Sequence, residues 1–199
     1  MRTKPLFIIG LLLFSARISA GEIVLNNINI IDVDALKLKS NVSIVITDNT
    51  ITSIESGDFT SPKTDAVHID MTGKYALPGL IDAHVHYATD PETFDNFVST
   101  KARLQHLLRG GVTTVRDMGG DGRTLANLKR LAEIDQIQSP DIHFSAIIGG
   151  QTFFDDPRTV SSAKGQQSGN TAWMRSVDIN SDFDAVILQA KGLGATGIK

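Results

Sequence analysis

The 199-residue sequence contains no cysteine. That excludes a disulfide framework and a lipid-anchored cysteine at the N-terminus, so stability has to come from packing or from metal. There is no basic tract and the net charge is −3, so the electrostatic footprint of a nucleic-acid binder is missing. No stable membrane span is expected either. A bilayer takes about 20 apolar residues, and the run from Leu6 to Phe14 has nine. What is present is an ordinary globular composition, 41% hydrophobic, in a chain long enough to bury a core.

The short apolar run reads as a targeting signal. Arg2 and Lys4 form a positive n-region, Leu6 to Phe14 the apolar region and Ile18-Ser19-Ala20 a small-residue exit, with cleavage expected after Ala20. An uncleaved anchor or a buried N-terminal helix is the competing reading. Residues 1–20 are therefore set apart as a signal peptide, and the expected location is periplasmic or secreted.

Residues 21–77 read as a β-rich module. Ile23-Val24-Leu25, Ile28 to Ile31, Val42 to Ile46 and Val67 to Asp70 are β-branched runs. Thr47 to Thr50 is a turn with Ile51 to Ile54 as its hairpin partner, and Thr72-Gly73-Lys74 turns the chain toward Tyr75-Ala76-Leu77.

Residues 78–199 alternate strand and helix. The spacing predicts a strand over Leu80 to His86, then a helix capped by Asp90-Pro91 with an apolar face of Phe94, Phe97, Val98, Leu104 and Leu108, ended by Gly110-Gly111. Val112 to Val115 is a second strand with Arg116-Asp117 at its exit, read as a local ion pair. Leu125, Leu128 and Leu131 mark a second helix, and Ile142 to Ile148 a third strand. Residues 149–180 read as a long loop in which Phe153 and Phe154 are a hydrophobic anchor or a pocket wall. Ser181 is the expected cap of a helix over Asp182 to Lys191, and Ala195 to Lys199 a fourth strand. Such alternation implies a parallel sheet with right-handed crossovers, as in open sheets and in (β/α)₈ barrels.

The stretch from Pro78 to His86 carries the most chemistry. Residues two apart in a strand share a face, so His84 and His86 point the same way and Val85 the opposite way. Two imidazoles on one rigid face suit a divalent metal, although the spacing alone also fits a structural pair. Asp82 shares that face and either orients a ligand histidine or is simply a polar residue at the strand start. His68, His106 and His143 show no ligand spacing, and His143 reads as packing.

Three motifs occur in order: Leu77-Pro78-Gly79-Leu80-Ile81-Asp82-Ala83-His84-Val85-His86, then Gly111-Val112-Thr113-Thr114-Val115-Arg116-Asp117-Met118-Gly119-Gly120, then Gly194-Ala195-Thr196-Gly197-Ile198-Lys199. Together with the β-rich start, they resemble the amidohydrolase superfamily, in the branch of imidazolonepropionase-like enzymes and exported peptidases. The resemblance implies an α/β fold. Residues 78–199 would form the N-terminal part of a TIM-type (β/α)₈ barrel, about four strands, and residues 21–77 an incomplete β-sandwich module. Asp48-Asn49 stands where the family often has Asp-Gly, a change that asparagine tolerates.

By the same resemblance His84 and His86 are metal ligands, and Lys199 is the strand-four lysine that is carboxylated to bridge two ions. Zinc is the expected metal, one or two ions, and the implied reaction is hydrolysis of an amide-like C–N bond in a small-molecule or peptide substrate. The family's further histidines and aspartate do not occur in this sequence. The chain by itself is therefore expected to be inactive, with no catalytic residue assigned. The alternatives are a non-catalytic truncated remnant, a half-barrel that self-associates through open barrel edges, and a protein that only binds a metal.

Overall fold

The computed structural model describes residues 21–89 and 96–199. The expected signal peptide and the Asp90-Pro91 cap with Phe94 lie outside the described residues. The chain divides into two compact units between Pro78 and Gly79.

The first unit is one five-stranded mixed sheet. Strands β1 (Ile23–Asp32), β2 (Lys37–Thr47), β3 (Thr50–Ser56), β4 (Val67–Asp70) and β5 (Tyr75–Ala76) follow in chain order. The sheet order is β3-β2-β1-β4, with β5 also on β1. The two β-branched runs before Asp32 are one strand, not two. Its pairing with β2 shifts register twice, between Leu25 and Ile28, where Asn27 takes a φ of +59°, and between Ile28 and Ile30. The β2–β3 hairpin turns through Asp48 and Asn49 at φ +50° and +64°. These are left-handed positions that asparagine and aspartate tolerate. Ile28, Val42 and Ile44 form the buried centre of the unit.

The second unit continues with β6 (Leu80–Val85), α1 (described over Phe97–Arg109), β7 (Val112–Asp117), α2 (Gly122–Glu133), β8 (Asp141–Gly149), α3 (Gln151–Phe154), α4 (Pro157–Ser162), β9 (Met174–Ser176), α5 (Phe183–Leu193) and β10 (Gly197–Ile198). Strands β6, β7, β8 and β10 are parallel and lie side by side in that sequence order. Each strand sits beside its predecessor, as in a barrel. A doubly wound sheet would reverse direction partway. The described residues build this α/β parallel sheet and no closed barrel.

The core lies between the strands and the helices α1 and α2, where Val85, Leu104, Val115, Leu125, Leu128, Ile142 and Phe144 are buried. Burying a leucine such as Leu128 stabilises by about 1.5–3 kcal/mol. Val98 departs from the expected helix face and is 76% exposed, whereas Thr100 is buried. Leu104 and Thr100 are four apart and share a face, while Val98 lies about 200° around the helix from Thr100.

The region read as one long loop contains α3, α4 and β9. Asp156 caps α4 through the Arg158 N–H, with Pro157 in the first turn. Strand β9 pairs with the end of β8. Phe154, Ala163, Trp173 and Met174 bury themselves against Ile147. Apolar residues spaced this irregularly leave no period in the sequence, so only packing reveals the segment. At α5, Asp182 and not Ser181 is the cap. Asp182 accepts the Ala185 N–H at 3.0 Å, while the Ser181 hydroxyl accepts the Asp178 N–H at 2.8 Å. Gly192 lies inside the helix, and Gly194 ends it with a φ of +93°.

Candidate metal centre

Strands β6, β7, β8 and β10 end on one side, and the candidate residues gather there. Val85 is 6% exposed and faces the helix-side core, whereas His84 and His86 are exposed on the opposite face. The pleat thus presents both imidazoles together. Asp82 braces the backbone, its carboxylate accepting the His84 N–H at 3.3 Å.

The two imidazoles stack with 24° between their planes and their Nε2 atoms lie 3.2 Å apart. Lys199 closes the group, with Nζ 3.1 Å from His86 Nε2. It is anchored by its own backbone, since the Lys199 N–H donates to the Ala146 carbonyl at 2.9 Å and its carbonyl accepts the Ile148 N–H at 2.9 Å. The last residue of the sequence is therefore held as part of the sheet beside β8.

The spacing of the two imidazoles suits a divalent ion. Two nitrogens each about 2.0–2.1 Å from a tetrahedral ion stand roughly 3.3 Å apart, close to the 3.2 Å between the imidazoles. Partial burial and then the neighbouring Lys199 charge hold the pKa of His86 below the usual histidine range, which favours the neutral, ligating form. Among the described residues, no group of three or more His, Asp or Glu side chains is arranged to hold a metal. His84 and His86 are two imidazoles, and Lys199 adds a nitrogen beside them.

The expected Arg116–Asp117 ion pair does not form. Neighbours along a strand point to opposite faces, so Arg116 is exposed while Asp117 is 1% exposed. The Asp117 carboxylate instead accepts four backbone N–H groups. Oδ2 takes those of Tyr87 and Ala88 at 2.8 and 3.2 Å, and Oδ1 those of Gly119 and Gly120 at 3.0 and 2.7 Å. Sequence reasoning missed this role. The signal available was an aspartate at a strand exit followed by Met-Gly-Gly.

A cavity of about 410 Å³ opens beside the group, lined by His86, Lys199, Met118, Ile147, Phe153 and Met174, with Asp156 and Arg158 also on its wall. Phe154 is the buried anchor and Phe153, half exposed, is the pocket wall, so the adjacent pair divides the two anticipated roles. The Arg158 guanidinium lies 2.9 Å from Asp156 and holds that carboxyl down to about 2. A larger concavity of about 830 Å³ lies at the N-terminal end of β8, remote from this chemistry. His143 lines it and is exposed, contrary to its reading as a packing residue.

The model of the amidohydrolase family matches residues 75–183. A solved prolidase, complexed with N-methylphosphonate-L-proline, superposes with a TM-score of 0.71 at 25% identity, over 89% of this chain and 46% of its own. A solved amidohydrolase gives 0.70 at 26% identity with the same coverage of 89% and 46%. The enamidase of Eubacterium barkeri is 35% identical over 100 residues, which are 45% of this chain and 24% of the enamidase. The dihydroorotase of Lactobacillus helveticus is 36% identical over 78 residues, or 39% and 17% respectively. This chain thus spans about half the length of those solved structures and a smaller share of the curated relatives.

Proposed function

Because this chain belongs to the amidohydrolase family, we propose that it carries part of the metal site of a hydrolase that cleaves amide-like C–N bonds in small-molecule or peptide substrates. The convergence of His84, His86 and Lys199 at 3.1–3.2 Å, from strands far apart in sequence, is the observation that supports this reading. A divalent ion, zinc in this proposal, polarises a carbonyl and lowers the pKa of water when bound. His84 and His86 would hold it from the rigid end of β6. Lys199, once carboxylated on Nζ, offers the oxygen donors that a second ion takes. Met118, Ile147, Phe153 and Met174 give the cavity apolar lining, and the relatives named as a prolidase and an enamidase suggest an amide or lactam as its occupant.

Zinc titration of the 199-residue protein by calorimetry tests the reading. Binding that is lost in His84→Ala and His86→Ala is expected. Wild-type protein that takes up no zinc would sink it. The proposal includes export, for which a mature protein beginning at Gly21 is the expected product and a soluble form retaining Met1 the contrary result.

Self-association is favoured by a separate observation. Strands β6 and β10 are the edges of the parallel sheet, and Ile81 and Ile198 on them are 70% and 46% exposed. Open apolar edges recruit further strands. Light scattering should find dimers or larger species, and a monomer at high concentration would overturn this reading.

A further inference from the structure

We propose that Asp117 is a positioning residue for His86, acting through the turn Met118–Gly120. This inference rests on the metal reading above for its purpose, but its geometry stands independently.

The carboxylate of Asp117 works as a two-sided clamp. Oδ2 receives the N–H groups of Tyr87 and Ala88, the two residues that follow His86, at 2.8 and 3.2 Å. Oδ1 receives those of Gly119 and Gly120 at 3.0 and 2.7 Å. The exit of β6 is thereby tied to the turn after β7. Two backbone bonds reinforce the tie, from Met118 N–H to the Val85 carbonyl at 2.8 Å and from Asp121 N–H to the Ala88 carbonyl at 2.7 Å. A carboxylate suits the task because each oxygen accepts two donors, whereas an amide would turn one side into a donor.

The clamped turn bears directly on the imidazole. A Cβ on Gly119 would lie 3.0 Å from His86 Cε1 and 3.1 Å from Nδ1, so the ring rests against bare glycine backbone. Nε2, bonded to that same Cε1, faces His84 Nε2 at 3.2 Å and Lys199 Nζ at 3.1 Å. On the chain side, the Thr89 hydroxyl donates to the His86 carbonyl at 2.8 Å. Gly120 is closely packed as well, since a Cβ there would meet Ala88 Cβ at 2.7 Å and both Asp117 oxygens at 2.9 Å. Asp117 therefore sets the distance between turn and strand, and that distance sets where Nε2 points. Groups that orient metal-binding histidines typically change metal affinity by about 10–100-fold when removed.

The test uses the full 199-residue protein, with cobalt(II) as the probe and NMR as a readout that needs no metal. The wild type should show a nuclear Overhauser contact between the His86 Cε1 proton and the Gly119 α-protons. Asp117→Asn should weaken that contact and lower cobalt affinity at least about 10-fold. Gly119→Ala leaves the carboxylate in place but displaces the ring, and should lower the affinity similarly and shift the cobalt d–d bands. Leu128→Ala, a core truncation in α2, controls for general loss of stability and should leave the affinity of the folded protein unchanged. The inference is overturned if folded Asp117→Asn retains the wild-type His86–Gly119 contact, or if Asp117→Asn and Gly119→Ala both keep wild-type cobalt affinity and spectrum. A wild type that binds no cobalt, yet loses the His86–Gly119 contact in Asp117→Asn, would refute the metal reading and leave the positioning role standing.

Discussion

Lys199 Nζ lies 3.1 Å from His86 Nε2, although 113 positions separate them in sequence. The contact exists because β6 and β10 run parallel in one sheet and end on the same side, with β7 and β8 between them. A lysine at this place has two chemical uses. As an ammonium it repels a metal ion, and as a carbamate it binds one.

The first prediction separates these uses. With bicarbonate present, the wild-type protein should bind more zinc than without it, measured by elemental analysis after gel filtration. Lys199→Ala should lose the bicarbonate-dependent part and keep weak binding through His84 and His86. Because zinc usually takes three or four protein ligands, the chain alone should hold it weakly and hydrolyse no amide. Turnover of a dipeptide or lactam that disappears in His84→Ala would contradict that expectation.

Helix α1 provides a second prediction. Leu104 is 1% exposed and Val98 is 76% exposed. Leu104→Ala should lower the unfolding free energy by about 2–5 kcal/mol. Val98→Lys should change it by less than about 0.5 kcal/mol, as exposed substitutions do. Urea unfolding followed by circular dichroism checks both, and equal losses would refute the assigned helix face.

Trp173 holds the segment between β8 and α5. It is 1% exposed, packs with Phe154, Ala163 and Met174, and lies under the Arg123 guanidinium at 4.5 Å from the ring centroid. Trp173→Ala should cost about 3–5 kcal/mol and make residues 150–176 the first site of limited proteolysis. Cleavage elsewhere, at the wild-type rate, would show that the segment does not depend on this side chain.

A fourth prediction concerns acid. The Arg158 side chain and backbone N–H lower the pKa of Asp156 to about 2 in the folded state, against about 3.9 in an unfolded chain. A depressed carboxyl contributes stability that is complete above the unfolded value and lost as pH falls through the folded one. The wild type should therefore be slightly more stable than Asp156→Asn near neutrality, since asparagine keeps the helix cap but not the charge. The gap in urea midpoint should close as pH falls from about 4 to about 2. A gap that persists at lower pH would assign the effect to the cap alone.

Much of the architecture was legible because it obeys local rules. The β2–β3 turn follows from Asp48-Asn49, which tolerate left-handed backbone. The order of strands and helices after Pro78 follows from buried runs separated by capping residues and glycines. Strand periodicity put His84 and His86 on one face, and the resemblance singled out Lys199. Features without a local period were not legible. The helices α3 and α4 and the strand β9 depend on Trp173 and Phe154 finding Ile147. Asp182 was passed over as a cap for Ser181, its neighbour, because both residue types cap helices and only backbone geometry chooses between them.

The sequence by itself determined that two imidazoles share a face, that residues 78–199 alternate strand with helix, and that these 199 residues carry no cysteine and a net charge of −3. Those properties depend on near neighbours and on composition. Only the tertiary structure decided that Lys199 meets His86, that Asp117 turns from its neighbour Arg116 to clamp four N–H groups, and that the His86 ring lies on Gly119. Each of these joins residues that are distant in sequence or on opposite faces of a strand. Strand order and the direction of the pleat settle such contacts, and neither is written at any single position.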